Sequence, residues 1–386
     1  MIVYNKTILE NTFLVSEAIH LKDAQFINVE SLNFIKQKLE TLKTSRNIFA
    51  RIGFFLLGTL LFSSIFGLFA FITLSLNNVV YDEYYLGILF SIIGIVLLEL
   101  ICNMNFYRHG IDDAFLIGTQ ISIYTTVYLL SNSEIILSIT MIIIGLLFCI
   151  RYINTLSFLV SLTGIVFLIG LLVVNYTTIT AILPFLIFGI AYGFYFLHKK
   201  YKNYQKLYFY TNVMDWFYIF SLLLGYASIN YLVVRSLSED LMNLDFTNSS
   251  MPLGWLFYGL MFIIPIVYVV YSLKIKDKTM LYIGALTFVL SIATHKFYFS
   301  SLPAEWALII SGFAIFGLVY FAIQKIKNNV TGITFNPDIQ ENTALLSTVE
   351  ALIINSQNVQ NVPETSKSEM PFGGGGFSGG GAGDSF

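Results

Sequence analysis

Six residues in the first half of the chain have the types that could form a polar site: Glu99, Arg108, His109, Asp112, Asp113 and Arg151. Four of them crowd into the short turn between two apolar runs, and the other two stand at the ends of neighbouring runs. A network of these groups could gate a cavity or bind a lipid headgroup. The competing expectation is ordinary interfacial charge, with a few ion pairs worth about 0–1 kcal/mol each. Asp112 and Asp113 also open an apolar run, where a helix N-terminus favours negative charge.

Other chemistry is missing from the sequence. There is no HExxH, no phosphate-binding Gly-rich loop before a helix, no GxSxG, and no His/Cys grouping at metal spacing. The four histidines (His20, His109, His198, His295) are scattered. Cys102 and Cys149 are read as two small apolar residues in a reducing compartment, without a disulfide. No cofactor and no enzymatic activity are expected. A net charge of −2 with no concentrated basic face argues against a nucleic-acid partner.

The elements that must carry these residues are membrane spans. Hydrophobic residues make up 56% of the chain and charged residues 11%, against about 25% charged in soluble domains. Ten spans are expected, at about 52–76, 84–103, 114–130, 134–150, 156–174, 178–197, 215–234, 253–273, 279–294 and 304–323. The fold class is therefore an all-α polytopic bundle, with the lipid bilayer as its solvent. With this count, 19 of the 21 Lys and Arg residues fall on one side and 2 on the other. Basic residues mark the cytoplasmic side, so both termini are expected there. Composition suggests an AT-rich bacterial genome, hence the inner membrane.

Charge at mid-bilayer is the usual mark of a transport or proton path, and no expected span carries one near its centre. Glu99 comes closest. Pro184 and Pro265 fall near mid-span in this spacing and are candidate kinks. Gln120, Asn230 and several Ser and Thr residues are expected to hydrogen-bond between helices.

Flanking segments complete the plan. Residues 1–51 read as cytoplasmic helices. Thr7 and Glu10 have capping-box spacing, and a second helix is expected from about Asn28 to Ser45 with Leu32, Ile35, Leu39 and Leu42 on one face. Residues 324–371 form a cytoplasmic tail with a short amphipathic helix near 341–355. Residues 372–386 hold eight glycines and three phenylalanines, a composition expected to stay disordered, with the phenylalanines available to a protein partner.

Three stretches carry a resemblance: LVSEAIHLKDAQFINVESLNFIKQKL (14–39), RHGIDDAFLIGTQISI (108–123) and PAEWALIISGFAIFGLVYFAI (303–323). On them the chain, over roughly residues 10–325, resembles a bacterial family of multi-pass membrane proteins of unknown function. That family has a short N-terminal helical segment and eight to ten spans. The Gly/Phe ending is similar to the tails of TPM-domain membrane proteins, without the TPM domain. The resemblance implies no activity and assigns no site residue. The function expected is a non-enzymatic scaffold or envelope-associated protein. The alternative is a transporter of an uncharged or lipid-like solute. An enzyme ranks last, because the longest outer loop, Arg235 to Pro252, offers only Glu239, Asp240 and Asp245.

Overall fold

Long apolar runs with few breakers leave the backbone no partner but itself once water is excluded, and the helix is the local answer. The computed structural model describes residues 2–23, 26–45, 47–76, 83–176, 182–202, 204–242, 253–299 and 304–327. Every regular element among them is a helix, apart from an isolated bridge between Lys43 and Phe106. The helices are α1 (Lys6–Asp23), α2 (Val29–Lys38), α3 (Ile48–Leu76), α4 (Glu83–Asn103), α5 (Ile111–Ser131), α6 (Glu134–Tyr152) and α7 (Thr155–Tyr176). Then come α8 (Leu183–Tyr201), a 3-10 turn (Gln205–Tyr210), α9 (Thr211–Ala227), α10 (Tyr231–Met242), α11 (Gly254–Ile275), α12 (Lys278–Phe299) and α13 (Ala304–Ile326). The expected tail helix near 341–355 and the Gly/Phe ending lie outside the described residues.

The chain divides into two compact units. The smaller, in its described part, is residues 11–40. It is a helical hairpin in which Val15, Ala18, Ile19 and Leu21 of α1 bury against Leu32 and Ile35 of α2. Asn28 caps α2 by accepting the Ser31 N–H at 2.8 Å. The helix stops at Leu39, whose backbone is extended, rather than running on to Ser45. Leu42 is buried, but outside the helix. The N-terminal capping box is also corrected: Thr7 already lies inside α1, and its N–H bonds to the Asn5 side chain at 3.0 Å.

Glu17 sits in this hairpin at 2% exposure, and its Oε2 has no partner among the described residues. Burial pushes its carboxyl above the usual carboxylate range. A carboxyl raised in the folded state stabilises fully below its unfolded pKa and loses that contribution as pH rises through the folded value. Glu17→Gln should therefore strengthen the hairpin at neutral pH by about 1 kcal/mol and flatten its pH dependence. Hydrogen exchange of residues 11–40 in the full chain, read from pH 4 to 8, checks both expectations; unchanged protection at every pH counts against them.

The larger unit, in its described part, runs over residues 2–10 and 41–327. Seven of its described helices are long and apolar enough to cross a membrane: Ile48–Thr73, Tyr84–Asn103, Ile111–Ser131, Glu134–Tyr152, Thr155–Asn175, Gly254–Ile275 and Lys278–Tyr298. A bent pair, Leu207–Ala227 with Tyr231–Glu239, could make an eighth. Helices α8 and α13 overlap the sixth and tenth expected spans but are not among the seven. The outward surface is apolar. Ile92, Leu147, Val270 and Leu286 are each more than half exposed, a surface suited to hydrocarbon and costly in water. Small polar residues point inward instead: Thr119, Ser138, Ser157, Ser161, Ser272 and Thr287 are fully buried. Several return their hydroxyls to their own helix, as Thr119 does to the Phe115 carbonyl at 2.7 Å.

Neighbouring helices pair as antiparallel hairpins, and small residues set how closely they pack. At Gly145 on α6, an added Cβ would lie 2.7 Å from the Ser157 carbonyl oxygen of α7. Two expected features change. The seventh span is not straight: the chain turns by 70° after Ala227. Pro184 lies in the first turn of α8, where it displaces no helical hydrogen bond and makes no mid-helix kink. Pro265 does lie inside α11 and is buried. It removes the N–H that would bond the Met261 carbonyl, and Ser291 Oγ of α12 donates to that oxygen at 2.5 Å.

Candidate functional site

The charged residues singled out from the sequence gather where α3, α5 and α7 begin and α4 and α6 end. The turn between α4 and α5 is too tight for ordinary backbone: Asn105 and Arg108 have positive φ of 65° and 50°, and Gly110 reaches 115°. Its free backbone groups are taken by the strand-like segment before α3. The Lys43 N–H donates to the Asn105 carbonyl at 2.8 Å, and the Tyr107 N–H to the Lys43 carbonyl at 3.2 Å. This pairing accounts for the early end of α2, because residues 41–45 are committed to an extended contact. Lys43 Nζ also lies 4.8 Å from the centre of the Phe106 ring.

Asp113 anchors the site. It is nearly buried and accepts both Nε and Nη2 of Arg51 on α3, at 2.9 and 2.5 Å. Its other oxygen accepts Asn154 Nδ2 at 3.1 Å. Asn154 in turn caps α7 through the Ser157 N–H at 3.0 Å. Asp112 turns back instead and accepts the backbone N–H groups of His109 and Gly110, each at 2.9 Å. Glu99 on α4 meets the fork of Arg151 on α6, with Nε to Oε1 at 2.5 Å and Nη2 to Oε2 at 2.8 Å. The Tyr152 hydroxyl donates to the same carboxylate at 2.6 Å. The N-terminus joins the site: the Val3 N–H donates to the Arg151 carbonyl at 3.0 Å, and Tyr4 OH lies 3.5 Å from Cys102 Sγ.

The expected cluster thus resolves into parts. Glu99 and Arg151 form one pair. Asp112, Asp113 and Arg108 line a cavity together with Tyr4, Tyr107 and Asn154. His109 stands aside, its ring 4.2 Å from that of Phe54 and edge-on to Phe106 at 5.0 Å. The cavity has a volume of about 10 Å³, room for about one water molecule. Burial pushes the Tyr107 phenol up to about 12 and the Tyr4 phenol higher still, so both remain protonated donors at neutral pH. Three carboxylates and three guanidiniums, counting Arg51, balance in charge. Such a site can tie helix ends together and hold a water.

Arg51, Tyr152, Asn154 and Tyr4 belong to the site although the sequence reading did not select them. Arg51 had been assigned to the N-terminal segment, but α3 begins at Ile48 and carries it one turn into the helix. Asn154 followed by Ser157 is helix-capping spacing and was readable. Gln120 departs from its expected role, since its Nε2 is buried with no partner among the described residues. Cys102 and Cys149 are free and buried. Among the described residues, no group of three or more His, Cys, Asp or Glu is placed to hold a metal.

The Glu99–Arg151 fork is open to test. Arg151 is 46% exposed, so each of Glu99→Arg and Arg151→Glu alone should cost about 1 kcal/mol. The double exchange should recover most of it. Thermal unfolding of the three variants in detergent reads the coupling, and strictly additive losses would count against the pair.

No protein-family model, no curated protein and no solved structure matches the chain.

Proposed function

We propose that this chain is a non-enzymatic, ten-span protein of the bacterial inner membrane, with both termini in the cytoplasm, that serves as a scaffold or envelope-associated protein. The observation that carries this reading is the balanced charge cluster. Glu99 pairs with Arg151 and Asp113 with Arg51, Asp112 holds the backbone of its own turn, and the N-terminal backbone joins them, around a space for one water. These contacts fix helix ends, and the small cavity beside them favours a structural role over a binding or gating one. The topology is supported by the 19-to-2 distribution of basic residues over ten segments and by the seven helices able to cross a membrane. The likeness to the bacterial multi-pass family belongs to the same proposal, with the C-terminal tail recruiting a protein partner.

A second reading, passage of a small uncharged or lipid-like solute, draws on a different observation. Gln120 Nε2, Tyr124 OH and Ser161 Oγ are buried without partners among the described residues, and unpaired polar atoms of this kind call for water or a ligand. Detergent-free isolation of the tagged full chain from its native membrane separates the two. Mass spectrometry should find a stoichiometric protein partner that is lost when residues 372–386 are deleted. One enriched solute or lipid with no protein partner would overturn the scaffold in favour of transport.

A further inference from the structure

The 70° turn after Ala227 is built, not frayed. Asn230 occupies the break and uses its whole amide. Its Oδ1 accepts the N–H groups of Leu232 and Val233, at 2.9 and 3.4 Å, and so caps α10. Its Nδ2 donates to Tyr226 OH at 2.7 Å and to Thr294 Oγ1 at 3.3 Å. Tyr226 OH lies 2.9 Å from Ser291 Oγ, which supplies the Met261 carbonyl left open by Pro265. One relay of hydrogen bonds therefore runs from the break in the α9–α10 pair to the proline of α11, by way of α12. Each member is buried, so the relay fixes the angle between α9 and α10 rather than merely permitting it.

What lies beyond the bend has the character of a surface helix. By length alone Leu207–Ala227 matches about 30 Å of hydrocarbon, while it reaches the hydropathy of a span only together with Tyr231–Glu239. The level of α10 is marked by its neighbours. The Arg235 guanidinium lies 4.9 Å from the centre of the Tyr298 ring, and Tyr298 is the last residue of its membrane-crossing stretch. Trp255, at the start of α11 on the same side, is 78% exposed, and exposed Trp and Tyr favour the headgroup level. Around α10, Tyr231 and Val234 are buried against the bundle. At 100° per residue, Arg235, Ser236 and Glu239 fall on one side of that buried stripe with Leu232 among them, and Val233 and Leu237 on the other with Asp240 at its outer edge. The first flank is mostly polar and suits water, and the second is mostly apolar and suits acyl chains.

We infer that α10 is an in-plane helix seated in the phospholipid headgroup layer, held at that angle by the Asn230–Tyr226–Ser291 relay. This rests on the membrane-spanning reading proposed above. It also assigns the chain a lipid-contacting element of which the expected seventh span took only the first turn, to residue 234, and the expected outer loop the rest. The partner is the bilayer interface: Arg235 and Glu239 stay with water and headgroups, while Val233 and Leu237 reach the upper acyl chains.

The test is spin-label depth in the full chain, reconstituted in vesicles of phosphatidylethanolamine and phosphatidylglycerol. Labels are placed through Val233→Cys, Ser236→Cys and Leu237→Cys, with Ile266→Cys on the lipid-facing side of α11 as the deep reference. The unmodified chain, whose two cysteines are buried, is the blank. The label at 236 should collide several-fold more with a water-soluble nickel chelate than the label at 266. Labels at 233 and 237 should favour oxygen yet lie shallower than 266. Leu237 is exposed and takes a label without repacking, so its intermediate depth carries the test should the other variants fail to fold. Depths equal to that of 266 would mean a continuous span, and full access to nickel at all three would lift α10 off the membrane; either overturns the inference alone. If 266 itself is open to nickel and closed to oxygen, the membrane-spanning reading fails with it.

Discussion

Asp113→Leu should lower the stability of the larger unit by about 3 kcal/mol, the low end of the cost of breaking a buried ion pair. α3 and the N-terminus of α7 lose their common partner on α5. Arg51 Nε and Nη2 both lose their acceptor, and Asn154 Nδ2 loses the oxygen that orients it. The cost is held to the low end because the Arg51 side chain is 33% exposed and can recover part of its hydration. Asp113→Asn should cost less, since an amide oxygen still accepts one N–H of the fork. The charge itself is isolated by Arg51→Met in the Asp113→Leu background. Removing the stranded guanidinium should return part of the loss, a recovery that mere cavity formation cannot give. Thermal unfolding of the detergent-solubilised variants, followed by loss of monodisperse protein, is the readout. A transition for Asp113→Leu equal to that of the parent would mean that the pair does not hold the helix ends.

How far this was readable from sequence depends on the range of the interaction. Apolar runs reveal helices because hydrocarbon forces the backbone to bond with itself, and the expected spans overlap observed helices throughout. Glu99, Asp113 and Arg151 were selected because charge beside apolar runs is scarce enough to be conspicuous. Their partners were not. Nothing local in the sequence says that Arg51 meets Asp113 across 62 positions or that Tyr152 reaches Glu99. The seventh span fails for a related reason. Residues 228–230 contain no proline or glycine to announce a break; the break depends on hydrogen bonds from Asn230 to Tyr226 and to Thr294 of α12. Pro184 falls near mid-span only if the run is started near 178, as Ile179, Ala181 and Ile182 invite, whereas α8 begins at Leu183 and places the proline in its first turn.

Gly110 is where backbone and charge meet, and Gly110→Ala should be the most damaging glycine-to-alanine change among the described residues. Its φ of 115° with ψ of −44° is a conformation that side-chain-bearing residues rarely adopt. Adopting it costs on the order of 1–3 kcal/mol by itself. Space is also lacking. The added Cβ would lie 2.4 Å from the Arg51 carbonyl oxygen and 2.9 Å from the Phe55 nitrogen. Both are backbone atoms of α3, which no side-chain rotation can move. Relief requires α3 to withdraw from the α4–α5 turn, and that withdrawal draws Arg51 away from Asp113. The total loss should therefore exceed about 3 kcal/mol, and it should not add to that of Asp113→Leu, because the two changes remove the same contact. Gly110→Ala and Asp113→Leu are compared singly and together by thermal transition and by yield of monodisperse protein. A double variant barely worse than Gly110→Ala alone is the expected result. Full additivity would separate the glycine from the ion pair and leave the turn as a purely local constraint.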